Sequence, residues 1–225
     1  MMDSGINVIF EGQNFFRLLE GLGISLRIAF VSVGFSLLGG LFLGLCMTMK
    51  NVWVRRICRF YLEAVRIVPI LVWLFVVYFS LTKVFRVHLP AEAAADLVFS
   101  LWGIAEMGDL VRGAVQSMPV HQLESALALG LSRLQMYRYI LLPQALRRLL
   151  PSAINLMTRM IKTTSLVVLI GVVEVLKVGQ QIIEVSVLKV PTASFWVYGM
   201  IFFLYFIICW PISVYARRLE KKWQN

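Results

Sequence analysis

Charge is scarce in this sequence, and acidic charge above all. Its 22 basic and 12 acidic residues make up 15% of 225 positions, while 60% are apolar; a soluble domain has roughly 25% and about 45–50%. That balance excludes a water-soluble globule. Cysteine is nearly absent: Cys46, Cys58 and Cys209 stand too far apart for a disulfide framework or a thiolate metal site. His88 and His121 have no second ligand at metal-binding spacing. The chain also lacks a P-loop, a Gly-x-Ser-x-Gly elbow and a His-Glu-x-x-His helix. No cofactor is expected on it, and any ATP that powers it must bind another chain.

Long apolar runs are abundant. Ile28 to Met49 and Val190 to Ala216 carry no charge over 22 and 27 residues, more than enough to cross a hydrocarbon core of about 30 Å at 1.5 Å per residue. Ile67 to Thr82 is uncharged over only 16, and spans only if its helix starts near Phe60 and carries Glu63 and Arg66 at an interface. Two further candidates hold Glu106, Asp109 and Arg112, and Arg159 and Lys162. The expectation is an all-α polytopic membrane protein of one domain, with five spans at about 22–49, 60–82, 97–115, 149–173 and 190–216 and a cytoplasmic loop at about 116–148. Phe10, Phe15, Phe16, Leu18 and Leu19 suit a short helix in the outer interface.

The +10 net charge lies in short clusters between apolar runs, which suits lipid headgroups and excludes a nucleic-acid partner. With five spans, Lys50, Arg55, Arg56, Arg59, Arg133, Arg138, Arg147, Arg148, Arg217, Arg218, Lys221 and Lys222 share one side; Arg17, Lys83, Arg86, Lys177 and Lys189 share the other. The positive-inside rule then places the N-terminus outside and the C-terminus in the cytoplasm. No basic stretch or small-residue cleavage site precedes Arg17, so the first apolar run is expected to remain as a helix.

The longest polar connection follows Arg112. Pro119 can open a helix over 120 to 129, Gly130 can close it in a left-handed cap, and a second helix can run to Pro143. Ser36, Gly40 and Gly44, at i, i+4 and i+8, form a small-residue face suited to helix packing. Glu106, Asp109 and Arg112, three apart, fall within one 120° arc of their helix. They are either an internal ion pair between Asp109 and Arg112 or, for Glu106 and Asp109, ligands of a cationic group. Arg159 and Lys162 precede Thr163, Thr164 and Ser165; these polar groups either line a path and hold a carboxylate or bond to neighbouring helices.

Glu124-Ser125-Ala126, Gly130 after three intervening residues, then Ile140 and Leu142-Pro143 resemble the EAA loop of ABC importer permeases. Glu63-x-x-Arg66-x-x-Pro69, Arg112-Gly113, Gln122, Gln144-Ala145, Lys162-x-Thr164-Ser165-Leu166, Ile170-Gly171 and Glu174 are similar to the polar amino acid group, which includes histidine, glutamine, glutamate and arginine uptake systems. The resemblance covers about residues 17 to 218. It implies a type I importer core in the bacterial cytoplasmic (inner) membrane, acting as a homo- or heterodimer of permeases. ABC ATPase subunits carrying ATP and magnesium lie below, and an extracytoplasmic substrate-binding protein lies above.

It also implies a coupling role for Glu124, Ser125, Ala126, Gly130, Ile140, Leu142 and Pro143. Ser125, Ala126 and Ala128 would allow close approach to the ATPase, and Glu124 would accept hydrogen bonds from an ATPase arginine unless it caps its own helix. Four positions depart from the usual pattern. Ser125 stands for Ala, His121 for Gly, Glu106 for Tyr and Asp109 for Glu; the last two tilt the expectation towards a cationic substrate. The alternatives are a permease for another small solute and a non-transport membrane scaffold, which would need neither buried charges nor the loop spacing.

Overall fold

The computed structural model describes residues 5–86, 88–118 and 120–224; Pro119, the expected helix opener, lies outside the described residues. The described residues are predominantly helical, with no strand among them. Two compact units alternate along the chain. The first comprises Met1–Ser32, Pro69–Phe99 and Thr158–Pro211, the second Val33–Val68, Ser100–Met157 and Ile212–Asn225.

Three helices are long and apolar enough to cross a membrane: Asn14–Thr48, Leu134–Ile170 and Ala193–Trp223. The pair Val52–Ile67 and Ile70–Leu81 adds a fourth if it counts as one bent span. The five expected spans differ from this set in two places. The expected 60–82 helix is broken, because Val68 and Pro69 are extended (ψ 127° and 136°); proline has no N–H to continue the ladder and pushes its predecessor out of the helical region. The expected 97–115 span is Ala91–Gln116, long enough at 26 residues, but Glu92, Asp96, Glu106, Asp109 and Arg112 keep it from qualifying on apolarity.

In the first unit, α1 (Asn7–Phe10) packs Val8 and Ile9 against Leu18 and Leu22 of α2 (Asn14–Thr48). The same core holds Val175, Val178 and Ile182 of α10 (Val175–Ser186) and Val197 and Ile201 of α11 (Ala193–Gln224). Asn14 Nδ2 donates to the Val8 carbonyl at 2.8 Å and fixes the entry turn. The expected interfacial aromatic cluster is therefore divided. Phe10 and Phe16 stay exposed, while Leu18 turns inward because the helical period of α2 points it at the core. Glu174, fully buried, caps α10 by accepting from the Leu176 and Lys177 N–H groups at 3.0 Å each, and Ser25 Oγ donates to it at 3.2 Å. Two short helices after the proline break, α4 (Ile70–Phe75) and α5 (Thr82–Phe85), joined by the π-helical turn Val76–Leu81, belong to this unit as well.

In the second unit, residues expected as a loop after Met49 are helical. Asn51 Oδ1 accepts from Trp53 and Val54 N–H at 2.9 and 3.3 Å and starts α3 (Val52–Ile67), a standard N-cap. The small face of α2 packs as expected. Gly40 lies against Met107 and Gly108 of α6 (Ala91–Gln116), and a Cβ at Gly44 would sit 2.5 Å from the Val111 Cβ and 2.7 Å from the Gly108 carbonyl oxygen. Only glycine permits that approach.

Candidate functional site

Four charged side chains meet in the second unit. Arg66 of α3 places Nε 2.9 Å from Glu106 Oε1 and Nη1 2.8 Å from Asp109 Oδ2. On the other side of Asp109, Arg112 donates from Nε and Nη2 to Oδ1 at 3.0 and 2.5 Å, and its Nη1 donates to Gln116 at 2.8 Å. The one-arc placement of Glu106, Asp109 and Arg112 and the internal Asp109–Arg112 pair are thus present. Sequence alone does not bring Arg66 here, since it is expected as an interfacial charge at the end of a straight span. With it the cluster holds two cations and two anions. The unbalanced negative charge that favoured a cationic ligand is gone, and Glu106, 11% exposed, is engaged by a guanidinium. Pro69 signals the break that ends the helix just after Arg66, but no spacing in the sequence names the partners of Arg66.

Arg159, Lys162, Thr163, Thr164 and Ser165 lie in the first unit, where α9 (Leu142–Thr163) passes into a 3₁₀ turn, Thr164–Ile170. The three hydroxyls bond back to their own helix: Thr163 to the Arg159 carbonyl at 2.8 Å, Thr164 to Ile161 at 2.8 Å and Ser165 to Lys162 at 3.0 Å. That local bonding favours the bend. Thr164 is buried. Lys162 is exposed and lines a cavity of about 350 Å³ with Ser165, Tyr198, Ile201, Phe202 and Tyr205. Among the described residues, no carboxylate forms an ion pair with Lys162.

The polar connection is a helix-turn-helix. In α7 (Val120–Ala128) the last turn closes through Gly130 N–H to Leu127 at 3.0 Å and Leu131 N–H to Ala126 at 3.2 Å, with Gly130 at φ +76°. This is the Schellman arrangement, which the glycine makes strain-free. Ser132 and Gln135 then cap α8 (Arg133–Met136) reciprocally: Ser132 N–H donates to Gln135 Oε1 at 2.9 Å and Gln135 N–H to Ser132 Oγ at 3.3 Å. The Ser-x-x-Gln spacing marks such a box in sequence, although hydropathy and periodicity do not register it.

The second helix does not stop at Pro143. A π-helical turn, Tyr137–Leu141, widens the backbone just before the proline, and the helix runs on through it as α9. Ala126, 1% exposed, packs against Met136, Leu141 and Ile140. It therefore helps hold the motif together. Glu124, Ser125, Leu127, Ala128 and Leu129 remain exposed, as do Leu142 and His121, with Pro143 lying in the same turn as Leu142. No side-chain hydrogen bond or ion pair of Glu124 is formed among the described residues. Arg148 Nη1 reaches the Ser117 carbonyl and hydroxyl at 2.6 and 2.7 Å, tying α9 to the end of α6.

Comparison with known proteins supplies the lineage. The family described as "Binding-protein-dependent transport system inner membrane component" matches residues 36–225. A probable amino-acid ABC transporter permease protein of Bacillus subtilis, YckA, is 33% identical over 95% of this chain and 92% of its own length. The glutamine transport system permease protein GlnP of Escherichia coli K12 is 32% identical over 91% and 92%. The crystal structure of an amino acid ABC transporter with histidines aligns with a TM-score of 0.83 at 25% identity, covering 93% of this chain and 95% of that one. With a match over most of its length and relatives above 30% identity, the chain belongs to the family of inner membrane components of binding-protein-dependent transport systems.

Proposed function

We propose that this chain is the permease subunit of an ATP-binding-cassette importer for polar amino acids, without catalytic activity of its own. The likeness to amino-acid permeases over nearly the whole chain carries that reading above the two alternatives, another solute class and a scaffold. The subunit crosses the bacterial inner membrane five times with the N-terminus outside and the C-terminus in the cytoplasm. The broken α3 and Ile70–Leu81 pair supplies one crossing and α6 another, its charges offset within protein. Two permeases, alike or different, form the pathway. ATP and magnesium bind the partner ATPases, and an extracytoplasmic binding protein delivers the substrate.

Movement driven by the ATPases enters through residues 116–148. The Gly130 cap and the buried Ala126 make the helix-turn-helix a rigid body, so a push on Glu124, Ser125 and Ala128 is transmitted instead of absorbed. Ile140, Leu142 and Pro143 pass it on to α9. Lys162 is the candidate for holding the carboxylate shared by all amino acids, with Ser165 beside it in the cavity. Glu106, Asp109, Arg112 and Arg66 serve as a charge-neutral latch between helices of one unit. Uptake of a labelled amino acid tests the cavity. Lys162→Gln should reduce it roughly 10-fold or more, the loss of a hydrogen bond to a charged group worth about 1.5–3 kcal/mol, at unchanged membrane abundance. Wild-type uptake by this variant removes Lys162 from the pathway.

A further inference from the structure

A second cavity, about 410 Å³, lies in the first unit, away from Lys162 in sequence and lining. Its walls come from the turn between α1 and α2 and from the end of α10. Three of its lining residues are charged: Glu11, Arg17 and Lys189. Among the described residues none of the three forms an ion pair. Arg17 is not loose, however: its Nη2 donates to Gln181 Oε1 at 2.7 Å, across to α10, which holds the guanidinium at the cavity wall. Asn14, also lining the cavity, is fixed by its bond to Val8.

The depth of this cavity is set by the chain itself. Asn14 and Arg17 occupy the first turn of a membrane-crossing helix of 35 residues, about 52 Å long, which exceeds a hydrocarbon core of roughly 30 Å and leaves its ends among headgroups. Inside, the charges stand among polar Gln13, Asn14, Gln181 and Ser186 and apolar Val8, Ile182, Val185 and Val190; Phe10, Phe16 and Leu188, which adjoin the charged residues in sequence, are apolar. Val185, a lining residue, is exposed, and so are Phe10 and Phe16 beside the turn and Leu188, 92% exposed, next to Lys189. A pocket for a soluble solute has no use for such a rim, whereas acyl chains lie well on it.

We propose that this cavity binds the headgroup of an amine-bearing phospholipid, its phosphate held by Arg17 and Lys189 and its ammonium by Glu11. Two cations and one anion match a group with a phosphate and an ammonium, and guanidinium favours phosphate by charge-assisted bonding. The site is independent of the transport reading and stands whichever solute the chain carries.

The test uses the full transporter, permease with its ATPase and binding protein, extracted from nanodiscs made of equal parts phosphatidylethanolamine and phosphatidylglycerol. Native mass spectrometry counts the lipids retained per permease. The wild type should retain phosphatidylethanolamine, and Lys189→Glu, an exposed change, should lower retention at least 5-fold. Glu11→Gln should shift the retained lipid towards phosphatidylglycerol, because the partner of the ammonium is removed. Soluble phosphoethanolamine at the same concentration should not displace the lipid; displacement would identify a free headgroup-type solute and overturn the lipid source. Equal retention by wild type and Lys189→Glu overturns the site. Loss of binding-protein-stimulated ATP hydrolysis in Lys189→Glu with lipid retention unchanged overturns it in favour of a protein-docking surface.

Discussion

Arg66 lies 2.8 Å from Asp109 and the same guanidinium reaches Glu106 at 2.9 Å, so two charge-assisted contacts join α3 to α6 within one unit. Charges inside a span cost about 2.5–3.5 kcal/mol each when unmatched at mid-bilayer, so a neutral cluster of four is a physically sensible way to keep them. The cluster also changes which variants are informative.

Arg66→Ala should destabilise the protein in detergent by about 1.5–3 kcal/mol, because it removes a charged hydrogen-bond partner from two carboxylates at once. Adding Glu106→Gln should cost less than the sum of the two single changes, and thermal unfolding of the four proteins measures this. Strict additivity contradicts the pairing. Glu106→Gln alone should leave the amino-acid preference of the transporter unchanged; selective loss of arginine or lysine transport would restore Glu106 as a substrate ligand.

Coupling rests on Gly130. At φ +76° a proline, locked near −65°, cannot occupy the position, so Gly130→Pro should abolish uptake while the protein still inserts. Glu124→Lys, at an exposed position, should do the same without unfolding the motif. Normal uptake by either variant at equal membrane abundance contradicts docking through this loop.

Packing of α2 is tested by two glycines on one helix. Gly44→Val forces a side chain into Val111 and the Gly108 carbonyl, whereas a Cβ at Gly34 meets nothing within 4 Å. Gly44→Val should therefore lower the unfolding temperature, by an overpacking cost of about 1–3 kcal/mol, and Gly34→Val should leave it within error. Equal effects would mean that α2 does not pack through its small face.

Topology has its own check. A reporter fused after the last residue should behave as cytoplasmic, and a cysteine placed at Leu89 should react with an impermeant thiol reagent from outside. An even number of spans would reverse one of the two results.

Legibility in the sequence depends on whether the signal is local. Gly40 and Gly44 are legible because a small-residue stripe serves close helix approach in lipid, and the Gly130 cap because glycine supplies the left-handed turn between two helices. Asn51 and the Ser132–Gln135 box carry equally local signals that hydropathy obscures, since it divides α3 between a loop and half a span. Arg66 is not legible in the same way: its partners lie 40 and 43 residues on, and nothing in the spacing joins them. Pro143 misleads because a π-helical turn precedes it and the helix runs on through it, and the packing of Ala126 on Met136 and Leu141 depends on a turn that the spacing alone does not fold.

An amino-acid importer permease is most directly tested by reconstituting the chain with its ATPase and binding protein in proteoliposomes and measuring ATP hydrolysis across a panel of solutes. One or a few polar amino acids should raise the rate above the solute-free value, and sugars, metal ions and phosphate should not. Stimulation by one of those other solutes, with every amino acid silent, would contradict the assignment.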